Sequence, residues 1–379
     1  NYLNLFCRGL KANGSDVKVC LLKGHAFGDT IYKGPRKGVS PQGIHFTYLG
    51  FRQRPGNILL KLADQSISFL RLNMLLFSLV LRHKSVTILL YNSDIFFNVT
   101  VHLTAKLAGI RLVKFAAEII DKSQYRKSFI GRISRANYMG NFRYLNKMSD
   151  KLIVFSEYLR NEFLQMGFNE RKILVQPNLT DFEFWQPADT RIKYTIGYSG
   201  APYMKDGLND LLSAISILAA KNLRVSLLIV GDATFGRTLI PGLKEECGKL
   251  GIGDRVTFTG LVGSVEVKDY LSQCGMLAVT RPDTIQTRAG FPTKLGEYFA
   301  LKKPVLATRF GDMERYFTDG HDVIFAECGD PSSIAGKIEW MMNNEKVLEI
   351  ISGRGNDTAR QLLEYRSVMK KILDFLVSE

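Results

Sequence analysis

The chain has 379 residues, 46% of them hydrophobic and 23% charged, which is enough for two globular domains and excludes a disordered chain. Its net charge of +15 is uneven: residues 1–190 contain 27 Lys and Arg against 13 Asp and Glu, and the remainder contains 24 against 23. Five scattered cysteines with no CxxC pair, and five histidines outside any metal-ligand spacing, argue against a disulfide framework or a metal site and fit a reducing compartment.

In chain order, residues 3–13 predict a helix closed by Asn13-Gly14, and residues 17–22 a buried strand. An α/β fold normally places a strand before such a helix, so the first βαβ unit reads as lacking its opening strand. Residues 24–57, rich in Gly, Pro, Lys and Arg, predict a mobile excursion with a short strand at 44–49. A helix follows at 66–82, a strand at 86–91, a helix at 96–108 ended by Gly109, and a strand at 111–116. Residues 121–148 read as a long helical region, 151–155 as a strand, 157–166 as a helix capped by Ser156, and 172–176 as a strand. No stretch reads as a signal peptide, and the most apolar candidate span, residues 67–81, is short and interrupted by Arg71.

Residues 181–191 read as a linker, after which the alternation restarts. Strands are predicted at 194–198, 224–230, 256–259, 276–280, 304–307 and 323–326, with helices at 208–220, 238–250, 265–273, 294–301 and 331–343. A last helix is expected over about 357–377, crossing back to the first domain. The pattern is α/β: two Rossmann-like doubly wound domains facing each other across a cleft, spanning 1–185 and 186–355, with 356–379 as the returning helix.

Open α/β sheets bind ligands at the carboxyl ends of their strands, and several joints there are punctuated by glycine. Ser199-Gly200 follows one strand and leads through Lys205-Asp206-Gly207 into a helix. Small residues there let the backbone approach a diphosphate, and Lys205 supplies a point charge. A surface lysine beside a turn reads the same way, and the spacing is neither GxGxxG nor a Walker motif. Gly231 and Gly260 end the next two strands, either near a nucleotide base or as plain punctuation. The stretch Gly290-Phe291-Pro292-Thr293-Lys294-Leu295 opens a helix whose free N–H groups suit an anion. Glu297, in its first turns, is either an acceptor for ligand hydroxyls or a solvated carboxylate.

Taken together, Tyr198-Ser-Gly200, Lys205-Asp-Gly207, Val230-Gly231, Thr257-Phe-Thr-Gly260, Gly290 to Ala300 and Lys303-Pro-Val305 resemble retaining glycosyltransferases of the GT-B fold, family four. Within that family the resemblance is to the group that builds bacterial surface polysaccharides and glycolipids. It covers the second half of the chain. It implies a nucleotide-sugar donor as substrate, with no cofactor and no metal, and a glycan or lipid-linked glycan acceptor. Glu297 then matches the ribose glutamate, Lys205 the diphosphate lysine, and the amides of Phe291 to Leu295 the cradle of the distal phosphate. Two positions depart from the pattern: Ala289 stands where a sugar-contacting glutamate is usual, and Ser199-Gly200 where an arginine is usual. Arg281 is the replacement expected for the charge, and Asp283, Thr284 and Gln286 those expected for the sugar contacts.

In the first half Glu118, at the end of a strand, is the candidate for orienting the donor sugar or acceptor hydroxyl; the plain alternative is a capping or salt-bridging glutamate. His25 and Asp29 are weaker acceptor-side candidates, and His102 reads as packed. With Lys205 and Arg281, Glu118 completes the expected catalytic set, the two cations stabilising the leaving diphosphate. The basic stretch Lys122, Arg126, Lys127, Arg132, Arg135, Arg143 and Lys147 is interleaved with Tyr125, Phe129, Tyr138, Phe142 and Tyr144, as a headgroup-binding rim or a solvated helix would be. The expectation is a cytoplasmic protein, peripheral at the inner face of an anionic membrane, with no nucleic-acid partner. A sugar-nucleotide epimerase of the same fold and a non-enzymatic polyanion-binding protein are the alternatives.

Overall fold

The computed structural model describes residues 2–22, 24, 34–81, 86–91, 94–119, 128–188, 190–233 and 238–378. His25, Asp29, Lys122, Tyr125, Arg126 and Lys127 lie outside them. Contacts divide the chain into a first unit, chiefly Leu3–Gln176 with Met369–Glu379, and a second, chiefly Pro177–Val368.

In the first unit, strands β1 (Lys18–Leu21), β2 (Lys37–Val39) and β3 (His45–Tyr48) form a small sheet in the order β1-β3-β2. Strands β4 (Thr87–Leu90), β5 (Arg111–Ala116), β6 (Lys151–Val154) and β7 (Ile173–Val175) form a separate parallel sheet in sequence order. The expected single sheet is therefore divided among the described residues. An apolar cluster joins the two: Leu49, just past β3, packs with Leu72, Leu76, Phe97, Val101 and Leu112.

The helix expected at 66–82 begins earlier and runs Ile58–Leu81, because residues 58–65 contain no glycine or proline to stop it. By length and composition it is apolar enough to cross a membrane, unlike the shorter span read from sequence. The long helical region expected to 148 is, from 129 on, a helix Phe129–Gly140, then a π-turn Asn141–Leu145 and a 3-10 turn to Met148. Phe142 is buried there, stacked on Tyr138 and packed on Phe163, so the aromatic residues of this stretch do not form one surface rim. Phe129 and Tyr144 do remain exposed.

The second unit begins earlier than the sequence implied. Residues 181–185 are no free linker: Phe182 and Trp185 are buried in its core with Leu295, Tyr298 and Phe299. Two aromatic side chains of that size hold a segment against a core. Strands β8 (Tyr194–Ser199), β9 (Leu227–Val230), β10 (Val256–Phe258), β11 (Cys274–Val279), β12 (Val305–Thr308) and β13 (Ile324–Ala326) form one parallel sheet, ordered β10-β9-β8-β11-β12-β13. The chain moves outward from β8 to β10, then returns to the other side of β8. The order thus reverses between β8 and β11, and crevices open at the carboxyl ends of strands at such reversals.

The final helix is two helices, Glu345–Leu363 and Tyr365–Val377. Glu364 between them is extended, and its carboxylate accepts from the N–H groups of Arg366 and Ser367, which starts the second helix. Residues from Met369 onward group with the first unit, where Arg111 donates to the Leu376 carbonyl at 2.6 Å and Lys151 to Ser378 Oγ at 2.8 Å.

Candidate active site

The reversal between β8 and β11 positions the functional side chains. β8 ends in Ser199, whose N–H donates to the Tyr298 hydroxyl at 2.7 Å, tying the strand end to the helix Thr293–Ala300. Gly200 follows at φ 120°, a conformation open chiefly to glycine. A side chain there would meet Lys294 Nζ at 3.3 Å, so the lysine reaches close to the loop backbone. Gly231, ending β9, bridges Gly260, ending β10, and a Cβ on Gly231 would lie 3.1 Å from the Gly200 carbonyl oxygen. Three glycines named from sequence therefore meet at one end of the sheet.

At the centre stands Asp206, which sequence reading did not single out. It is 3% exposed. Its Oδ1 accepts from Lys294 Nζ at 3.0 Å and from Arg281 Nε and Nη2 at 3.3 Å each. Burial works to raise the Asp206 carboxyl, but Lys294 and Arg281, with a smaller effect from Lys205, hold it below its ordinary value. Burial lowers the Lys294 ammonium to about 8, against the opposing pull of Asp206. That ammonium also lies 3.8 Å from the centre of the Tyr198 ring, a cation–π contact in a desolvated setting. Two cations on one carboxylate, with Lys205 next along the chain, leave an excess of positive charge at the β8–β11 reversal.

This arrangement adds the Lys294 side chain to the amide expected of it, and pairs Arg281 with a carboxylate. The signal was present in the spacing: Lys294 is four residues before Tyr298 and so shares its core-facing side of the helix. A carboxylate was required wherever that ammonium is buried.

The two loops of the cluster are pressed together. Gly207 has φ 65°, and a Cβ on it would fall 1.7 Å from the Thr280 carbonyl oxygen. Thr280 Oγ1 donates to the Gly207 carbonyl at 3.1 Å, and Thr308 Oγ1 to that of Arg281 at 2.6 Å. Gly207→Ala is expected to lose at least about 2 kcal/mol of stability, from a positive φ combined with a backbone clash. Urea unfolding checks this; a loss below about 0.5 kcal/mol would contradict the close approach.

Helix Thr293–Ala300 starts after Pro292, and no side chain caps its N-terminus. Gly290 precedes it, and the Phe291 carbonyl accepts from Asn178 Nδ2, which fixes the loop leading in. Pro292, Lys294 and Leu295 are buried and Thr293 exposed. A helix start of this kind presents N–H groups and positive potential to an anion. Glu297, half-buried in the second turn, has its carboxyl pushed up to about 7 by burial, with Lys294 pulling the other way.

Other expected residues make contacts within the protein. Asp283 pairs with Arg288 through two bonds of 2.9 and 2.6 Å, and Thr284 caps the short helix Ile285–Ala289. Ala289 is fully buried. Glu118 belongs to the first unit, exposed just past β5, where its carbonyl accepts from the Tyr138 hydroxyl at 3.0 Å. His102 is buried, as expected, its Nδ1 2.7 Å from the Asn98 carbonyl oxygen. Among the described residues no group of three or more His, Cys, Asp and Glu is placed to hold a metal.

Comparison with known proteins fits this geometry. Residues 193–344 match the family described as Glycosyl transferases group 1. That match covers the greater part of the second unit, and the chain has the GT-B fold. Similar curated proteins are an uncharacterized glycosyltransferase of Methanocaldococcus jannaschii, 24% identical over 230 residues, and the capsular polysaccharide biosynthesis glycosyltransferase CapM of Staphylococcus aureus, 24% identical over 220. The matches cover 60% and 54% of this chain, and 60% and 55% of those proteins. Anabaena HepE, solved with UDP and glucose, superimposes with a TM-score of 0.73 at 17% identity, covering 100% of this chain and 96% of its own. Sucrose-phosphate synthase of Thermosynechococcus elongatus gives 0.72 at 14% identity, covering 98% and 91%.

Proposed function

We propose that this chain is a retaining glycosyltransferase that moves a sugar from a nucleotide-diphosphate donor to a glycan or lipid-linked glycan acceptor in cell-surface polysaccharide biosynthesis. The observation that carries the reading is the pairing of Asp206 with Arg281 and Lys294, with Lys205 next along the chain, beside an uncapped helix start at the strand-order reversal of a group 1 domain. The names of HepE's ligands and of CapM's pathway are consistent with it.

In the proposed reaction the bond between the anomeric carbon and the diphosphate oxygen breaks, and its electron pair stays on the diphosphate. Lys205, Arg281 and the amides of Phe291 to Leu295 stabilise that charge as it develops. The acceptor hydroxyl adds on the same face, and its proton passes to the departing phosphate, so no protein nucleophile and no metal take part. Glu297 accepts from the ribose hydroxyls, Gly231 and Gly260 lie against the base, and Glu118 orients the sugar or the acceptor. The acceptor is met on the cytoplasmic side, at an anionic membrane face.

The two shifted groups define a pH window. Ribose hydroxyls need the ionised Glu297, so nucleoside diphosphate affinity rises as pH passes about 7. Anion binding needs the protonated Lys294, so affinity falls as pH passes about 8. Calorimetric titration from pH 5.5 to 9.5 is expected to show this maximum, and Glu297→Gln to remove the acid limb alone. A flat profile would contradict the assignment. Stoichiometric isomerisation of a nucleotide sugar without acceptor would favour the epimerase, and no nucleotide binding the polyanion-binding protein.

A further inference from the structure

Two helices of the first unit, unlike ordinary surface helices, are apolar on the outward side as well as the buried one. Ile58–Leu81 turns Asp64, Ser68, Leu72 and Leu76 inward at four-residue intervals. Asp64 accepts from the Phe51 N–H, and Ser68 Oγ donates to the Leu22 carbonyl at 3.0 Å, so its buried side is partly polar. The opposite side carries Leu70, Met74 and Phe77, which are 63%, 72% and 65% exposed. Ile95–Ala108 repeats the arrangement. Asn98 and His102 point inward, while Phe96, Leu103 and Leu107 are 76%, 53% and 88% exposed.

The helices lie side by side, with the Phe69 and Phe97 rings 6.1 Å apart. Their outward residues therefore form one apolar area, of the kind that marks a contact surface. The adjoining helix Phe129–Gly140 is tied on where Asn137 Oδ1 accepts from the Ile95 N–H at 2.8 Å.

Charge identifies the partner. The three helices carry Lys61, Lys106 and Arg132 exposed and Arg71 and Arg135 half-buried, and their one acidic residue is the buried Asp64. An apolar strip on helices that also carry exposed Lys106 and Arg132 and half-buried Arg135, and no exposed carboxylate of their own, complements an anionic lipid surface. A second copy of the same face would bring like charges together.

We propose that this face docks the chain on an anionic bilayer, with the exposed Leu, Met and Phe side chains at the boundary of headgroups and acyl chains and the Lys and Arg side chains on lipid phosphates. The helix Ile58–Leu81 lies on the bilayer and does not cross it, because Leu72 and Leu76 stay in the apolar cluster with Phe97 and Leu112. The proposal rests on the reading of the chain as a membrane-surface enzyme. Its test is separable from that of the donor site, since nucleotide binding needs no vesicle.

The test is flotation of the full chain with vesicles of phosphatidylcholine, with and without phosphatidylglycerol. Wild type is expected to float with the anionic vesicles only. Phe77→Glu with Leu103→Glu should lower the partition coefficient about tenfold or more. Arg132→Gln with Arg135→Gln should lower it roughly fivefold per arginine and leave the fold untouched. All four sites being at the surface, unfolding midpoints and nucleotide affinity should not move. Equal flotation of the charge variant, equal binding to neutral vesicles, or resistance to alkaline extraction would overturn the proposal. So would a wild-type dimer that the Phe77→Glu, Leu103→Glu variant dissociates.

Discussion

Asp206→Ala is expected to unfold with a loss of about 3–5 kcal/mol, the cost of leaving a buried ammonium without its partner. Lys294 is 7% exposed, and its ammonium pairs with Asp206 and lies against the face of Tyr198. Arg281, also close by, adds a like charge once the carboxylate is gone. Adding Lys294→Met to Asp206→Ala should restore most of the loss, because the pair is then removed as a pair. Urea unfolding of both variants measures the cycle. Equal stability of Asp206→Ala and wild type would show that Lys294 finds other partners. Under the proposed function the destabilised variant should also gain more than wild type from added pyrophosphate, which supplies the missing anion.

Glu297→Ala is expected to weaken nucleoside diphosphate binding by about 2–3 kcal/mol, roughly 30- to 150-fold, the worth of hydrogen bonds to a charged acceptor in a desolvated place. The carboxylate is half-buried, so the substitution leaves no large cavity and stability should hold. Removing a carboxyl that burial pushes up to about 7 should stabilise the fold slightly above that pH, where the charged form is the costly one. Calorimetry separates the two effects. An unchanged affinity would mean that the ribose lies elsewhere.

Much of the second unit was legible in the sequence because its strands are short, mostly apolar runs. β9 and β12 are buried at every position, and the glycines that follow β8 and β9 have positive φ. The helix Leu208–Ala220 was bounded on one side by Gly207 in the left-handed conformation, a plain start signal. What stayed hidden was pairing at long range. Nothing local in Lys205-Asp206-Gly207 says that its aspartate meets a lysine 88 positions on. The linker was misplaced because Asp181–Arg191 looks polar and proline-bearing, while Phe182 and Trp185 in fact anchor it. In the first unit two helices that are apolar on both sides defeat amphipathic reading, since the usual rule assigns large apolar residues to the inside alone. The Ile58 start was missed for that reason: its first turns are leucine-rich and outward.

The central claim is that the β8–β11 reversal holds the diphosphate of a nucleotide sugar. Calorimetric titration of UDP, GDP and ADP, with their sugars, into wild type, Lys205→Ala and Glu297→Ala tests it most directly. The account predicts saturable binding of at least one nucleoside diphosphate to wild type, much weakened in both variants, and no comparable binding of the free nucleoside. Absence of binding by every diphosphate, or equal binding by all three proteins, would contradict it.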